Sequence, residues 1–241
     1  MGLMLTKSVD ELPSVLQIIP LRGGILLPRS ELQIPVNEVG SVASVISILQ
    51  ASNIVGVVQT DDENTENKPC AASDESFSMA SAEKSFEKKS DPIFKCGCVG
   101  KLMDIQDVGD VGLVLSVVGI CRFQIEKEFD FDGQYRKAIV SYKKYEADIV
   151  QEADFPVDRG RLLNTLKMYC KKVNMFLPNF KDLRDFSNER LITMLMMVCP
   201  FDGKEKQALL ETVAYKEQSE LITFIMEMYM SGGASPSSLY H

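Results

Sequence analysis

The alternation of side chains between residues 94 and 125 constrains this chain more than any other feature. At residues 121–126, Cys121, Phe123 and Ile125 fall on one side, while Arg122, Gln124 and Glu126 fall on the other. A period of two is the signature of a strand with one apolar face and one wet face. Just upstream, residues 113–118 are apolar at nearly every position and are bounded by Gly112 and Gly119, as a short buried strand would be. Residues 100–105 make a third strand, and Asp107-Val108-Gly109-Asp110 supplies turn chemistry between it and the next. The centre of the protein is therefore expected to be a meander of antiparallel strands.

A chain of 241 residues with 45% hydrophobic content has enough material for one large domain or two small ones, each with its own core. The N-terminal 14 residues hold no apolar stretch of signal-peptide length, and nowhere does an apolar run approach membrane-spanning length. This predicts a cytoplasmic protein without a membrane partner. Met1-Gly2-Leu3-Met4-Leu5-Thr6 fits the loose N-myristoylation pattern, which matches often by chance.

Six cysteines, Cys70, Cys96, Cys98, Cys121, Cys170 and Cys199, lie mostly in apolar periodic segments, and are read as small buried hydrophobes in a reducing compartment. Cys96-Gly97-Cys98 is the one close pair. A structural zinc site would need a second pair or histidines, and the sole histidine is His241. No metal and no cofactor is expected. The formal charge of −8 is concentrated: residues 60–92 hold nine acids and four lysines, a balance of −5, which leaves −3 for the rest. That segment has too little apolar content to offset the entropy of ordering, so it is expected to be a disordered acidic insertion, with Phe77 and Phe86 as isolated candidate anchors for a partner.

In chain order, residues 15–19 form a strand candidate ended by Pro20. Gly23-Gly24 then permits a turn, and Leu32-Gln33-Ile34-Pro35-Val36 alternates and closes on a proline that suits an edge. Val42, Val45, Ile46 and Leu49 predict a short helix covering the sheet, residues 54–58 return to strand, and another strand runs roughly from 136 to 145. From Pro156 the period changes. Leu162, Leu166, Tyr169, Cys170 and Val173 predict a helix starting near Asp158. A second, capped by Ser187, points Leu191, Ile192, Leu195 and Val198 inward and stops at Pro200. Asp202 and Glu205 form a capping box for a third helix through Leu209, Leu210 and Val213, and a last helix carries Leu221, Ile222, Ile225, Met228 and Tyr229. The division is thus a tail (1–14), a β domain (15–150) containing the 60–92 insertion, a helical bundle (151–230) and a second tail (231–241).

Several stretches together resemble a known family. Ile19-Pro20-Leu21-Arg22 through Leu27-Pro28, the 32–36 strand, Cys98-Val99-Gly100 and Gly119-Ile120-Cys121-Arg122-Phe123-Gln124-Ile125 look like the N-terminal substrate-binding domain of Lon proteases. Cys199-Pro200-Phe201 and Glu205-Lys206-Gln207-Ala208-Leu209-Leu210-Glu211 are similar to freestanding bacterial proteins carrying this domain alone. Two features depart from that pattern: Asn37-Glu38-Val39-Gly40, where an aromatic and Arg/Tyr-containing segment is usual, and the acidic insertion. The resemblance implies an α+β fold, a PUA-like antiparallel β pseudo-barrel with one covering helix followed by a C-terminal helical bundle. It also implies engagement of unfolded or extended polypeptides, as an adaptor in protein quality control beside a separate ATP-dependent protease.

The residues themselves offer no G-x-x-x-x-G-K-[ST] loop to cradle phosphates, and no segment is left over for a Lon-type Ser–Lys peptidase domain. The expectation is a non-catalytic binding module, not an enzyme. Met194, Met196, Met197, Met226, Met228 and Met230 suit an adaptable client surface, although their helical spacing favours core packing. The alternative is an RNA-binding PUA-like protein, using Lys143-Lys144 and Lys171-Lys172 beside Tyr142, Tyr145 and Tyr169. These clusters are short, and a pI near 4.9 argues against a phosphate track. Arg122 is a candidate for pairing with a client carboxylate, against the competing role of a solvated cross-strand partner of Glu126 or Asp104. Arg22 and Arg29, flanking the Gly23-Gly24 turn, have the same two readings.

Overall fold

In the computed structural model, residues 8–36, 53–61, 92–108, 112–129, 136–150, 155–176 and 182–232 are described. The strands are β1 (Val15–Leu21), β2 (Glu31–Val36), β3 (Ile54–Thr60), β4 (Ile93–Asp107), β5 (Leu113–Glu128) and β6 (Arg136–Ser141). They are followed by helices α1 (Arg159–Lys172), α2 (Asn188–Val198), α3 (Gly203–Glu211) and α4 (Tyr215–Ser231). The covering helix expected over 39–49, nearly all of the 60–92 insertion and most of both tails lie outside the described residues.

Strands β3, β4 and β5 form an antiparallel meander, with the β4–β5 turn closed by the Val108 N–H donating to the Gly112 carbonyl at 2.9 Å. The strand order is β2-β5-β4-β3-β1-β6, and an additional β5–β6 pairing closes the sheet on itself. The sheet is not wholly antiparallel: β1 runs parallel to β3, with Ile18 opposite Gly56 and Leu21 opposite Gln59. The resemblance implied an antiparallel sheet, but the turn and β2 intervene between these two neighbours and free their relative direction. Pro20 stays inside β1, opposite Val58, while Pro35 lies on β2, which pairs with β5 alone among the described strands.

Two strands expected on either side of Gly119 are one. β5 runs unbroken for 16 residues, its first half between β2 and β4 and its second between β4 and β6. At the β3–β4 connection the Asp61 N–H donates to the Pro92 carbonyl at 2.9 Å and Thr60 pairs with Ile93. The acidic insertion therefore enters and leaves at one point of the ladder, where added chain length costs little loop-closure entropy.

Helices α1, α2 and α3 begin where their caps predict. Asp158 accepts from the Arg161 N–H, Ser187 from the Arg190 N–H, and Asp202 and Glu205 exchange both bonds of a capping box. Two inward assignments fail: Val198 is exposed, and α3 ends at Glu211, leaving Val213 outside it and exposed. Met196 and Met226 are fully buried and Met194 and Met197 pack against the same core, so these methionines fill space between helices. One buried cluster joins sheet residues such as Phe123 and Val140 to Leu166, Leu195, Leu209 and Ile222 of the helices. A smaller one gathers Ile34, Val36, Val57, Leu115 and Val117. No helix among the described residues is long and apolar enough to cross a membrane.

Candidate functional site

Alternation placed Arg122 on a wet face; the structure puts it in the interior, 2% exposed. Residues 120–123 of β5 are all buried, because the sheet covers one face and the chain following β6 covers the other. The Arg122 backbone N–H and Nε both donate to Asp148 Oδ2 at 2.9 Å, and Nη2 donates to Oδ1 at 2.7 Å. Nη1 donates to the carbonyls of Leu210 (3.0 Å) and Thr212 (2.6 Å), and Nη2 to that of Val213 (3.0 Å). All five guanidinium N–H groups are thereby used, and the plane lies over the Tyr145 ring at 4.7 Å. Burial pulls the guanidinium pKa down, but the hydrogen bonds and charge of Asp148 more than offset this, and the net shift is upward. Arg122 clasps the C-terminal end of α3 to β5 and leaves no donor for a client. The expected wet face is thereby corrected to a buried one.

Arg29 lies near the same point. It has a left-handed backbone (φ 60°), donates through Nη1 to Glu189 in the first turn of α2, and through Nη2 to the Asp148 carbonyl at 2.8 Å. Glu189 also accepts from the Tyr215 hydroxyl at 3.2 Å. The structure thus brings Arg29 and Arg122 together around Asp148, as a joint between the closed sheet and the helices. Arg22 is exposed beside the Gly23 turn, where Lys206 Nζ donates to the Gly23 carbonyl at 3.3 Å.

A half-open groove of about 620 Å³ lies elsewhere, between the start of α1 and the first half of α4. Leu162, Ser219 and Thr223 form its buried floor; Arg161, Lys216 and Glu220 stand exposed on its rim. Both floor hydroxyls donate within α4, Ser219 to the Lys216 carbonyl at 2.7 Å and Thr223 to the Ser219 carbonyl at 2.8 Å, so the floor presents no spare donor. Arg161 bridges to Glu227 of α4 at 2.9 Å. An uncharged floor with charges of both signs at the rim suits an extended polypeptide better than a single ionic ligand. Sequence reasoning missed these residues because the groove forms between helices some sixty positions apart, and neither wall is unusual alone.

The tyrosines that would stack bases are unavailable: Tyr145 and Tyr169 are fully buried, and Tyr142, 8% exposed, donates its hydroxyl to the Pro13 carbonyl at 2.7 Å. Cys96, Cys98, Cys121, Cys170 and Cys199 are free and buried. Burial pushes the Cys96 thiol up to about 11 and Cys199 up to about 12, and raises the other three as well. Native protein at pH 8 is expected to leave these five unlabelled by a thiol reagent that modifies them promptly in denaturant. Mass mapping that finds any of the five labelled rapidly in the native state would contradict the packing. Among the described residues no group of three or more His, Cys, Asp or Glu side chains is arranged to hold a metal.

The family model for the ATP-dependent protease La (LON) substrate-binding domain matches residues 15–228. The Lon protease of Cytophaga hutchinsonii is 25% identical over 225 residues, which are 91% of this chain and 24% of that protein; the chain thus spans about a quarter of its relative's length. The crystal structure of a Lon N-terminal domain protein from Xanthomonas campestris matches with a TM-score of 0.54 at 16% identity, covering 86% of this chain and 95% of that one. The N-terminal domain of Mycobacterium avium complex Lon protease matches with a TM-score of 0.55 at 14% identity, covering 88% and 98%. These two likenesses establish a common fold.

Proposed function

The chain belongs to the LON substrate-binding domain family, and we propose that it is a non-catalytic polypeptide-binding module, with a PUA-like sheet (15–150) and a helical bundle (151–230). The observation carrying this reading is the groove between α1 and α4, open along one side, with a neutral floor and charged rim. Such a surface takes up extended chain with loose selectivity. The protein acts in the cytoplasm as an adaptor in quality control, holding unfolded or extended clients for a separate ATP-dependent protease. No second reading is favoured, since the aromatic side chains that would serve RNA are packed in the core.

A labelled unfolded polypeptide titrated with this protein in the absence of nucleotide should show saturable anisotropy change that persists at physiological salt and ignores an RNA competitor. Substituting Ser219→Trp fills the floor, and should weaken binding by about tenfold without unfolding the protein. Absence of saturable binding, or steep salt-dependent displacement by RNA, would exclude the proposed module.

A further inference from the structure

Helix α1 carries five cations, Arg159, Arg161, Lys167, Lys171 and Lys172, and no acid, in a chain whose formal charge is −8. Arg159 is committed to the segment leading into α2, donating to Asn188 Oδ1 (2.6 Å) and to the carbonyls of Leu183 (2.9 Å) and Arg184 (3.1 Å). Arg161 is held by Glu227. Lys167, Lys171 and Lys172 are exposed and form no ion pair among the described residues. At helical spacing they share one arc with Arg161 and Met168, opposite the buried Leu162, Leu166 and Tyr169. Met168 on that arc is 60% exposed, and Phe176, just past the helix, is 86% exposed.

Stability gives only part of a reason for this surface. The helix dipole favours cations in the last turn, which accounts for Lys171 and Lys172. It does not account for Lys167, whose charge stands one turn from Lys171 and repels it, nor for two large apolar side chains left in water. Lysines interleaved with exposed apolar groups are the complement of an acidic segment bearing aliphatic or aromatic residues. Carboxylates would meet the ammonium groups, while the flexible thioether of Met168 and the ring of Phe176 receive the apolar side chains. Through Arg161 this ridge runs into the groove between α1 and α4.

We infer that the exposed face of α1 selects acidic segments containing apolar residues from among extended polypeptides. This rests on the binding module proposed above and names its client class. Nucleic acid would use the same cations, but the tyrosine beside Lys171 and Lys172 is buried, which leaves the ring of Phe176 without the succession of stacking faces that a strand of bases uses.

The test titrates the full chain against three labelled unstructured peptides of equal length and apolar content, one acidic, one neutral and one basic. The acidic peptide should bind about tenfold more tightly than the neutral one at low salt, with the margin shrinking as salt rises. The triple variant Lys167→Glu, Lys171→Glu, Lys172→Glu should lose or invert that order while remaining folded, its melting temperature lowered by only a few degrees through the acids placed at the helix C-terminus. The pair Met168→Ala, Phe176→Ala should weaken all three peptides. Equal binding of the acidic and neutral peptides overturns the inference and leaves the module standing; binding of none overturns both. An RNA oligomer that displaces the acidic peptide and loses affinity in the triple variant reassigns the ridge to nucleic acid and also overturns the inference.

Discussion

Arg122→Ala should destabilise the protein by roughly 3–5 kcal/mol, the cost of stranding a buried charge when its partner is removed. Asp148 is 3% exposed and accepts three hydrogen bonds from Arg122, two of them from the side chain; the substitution leaves it with the backbone bond alone. It also removes the donors to the Leu210, Thr212 and Val213 carbonyls, at the end of a helix where carbonyls lack intrahelical partners. For a chain of this size the loss corresponds to a fall in melting temperature on the order of 10 °C. Arg122→Lys should recover little of it, because an ammonium cannot reproduce the planar fork. The double variant Arg122→Met, Asp148→Leu should recover more than half, since it strands no charge. Denaturant titration of the four proteins measures this directly, and a single-variant loss below about 1 kcal/mol would contradict the buried geometry. Any of these variants that remains folded should bind unfolded polypeptide as the parent does, which separates a structural Arg122 from a client-binding one.

The misreading of Arg122 shows which information a sequence lacks. Period-two alternation states which side chains share a face; whether another layer covers that face depends on residues far away in the chain. Here the cover is the segment around Tyr145 and Asp148 together with the end of α3, and these become neighbours of β5 only in the folded protein. Where the deciding chemistry is local, the sequence was sufficient. Asp158, Ser187, Asp202 and Glu205 mark helix starts because a cap bonds an N–H within three residues of itself. Burial near helix ends proved harder, as Val198 and Val213 show, because an apolar residue at helical spacing looks inward whether or not a wall stands opposite. The parallel β1–β3 pairing and the groove between α1 and α4 were illegible for the same reason. Each depends on the relative placement of elements that carry no mutual signal.

Gly119→Ala should cost about 3 kcal/mol or more, the upper end of what overpacking a dense interior incurs. Read from its neighbours, this glycine looks like the boundary of a strand, but it lies in the middle of β5, where another stretch of backbone crosses at close range. The Arg29 N–H donates to the Gly119 carbonyl at 2.9 Å and the Gly119 N–H to the Ser30 carbonyl at 2.9 Å. A Cβ at this position would stand 2.1 Å from the Leu27 carbonyl oxygen and 2.8 Å from its carbon. Both are main-chain atoms that no rotamer change can move, so relief requires the 27–30 segment to lift and give up its bonds to β5. The same displacement would pull Arg29 away from Glu189 and the Asp148 carbonyl, loosening the joint between sheet and helices from its other side. Gly160→Ala in the first turn of α1 is the control, since its added Cβ meets nothing closer than Asp158 Oδ1 at 3.5 Å. There alanine should be neutral or stabilising by up to about 1 kcal/mol, as expected for replacing glycine in a helix. Thermal melts of the two variants should therefore move in opposite directions or differ widely in size. A Gly119→Ala protein that melts with the parent would show that the 27–30 segment does not cross β5 at this distance.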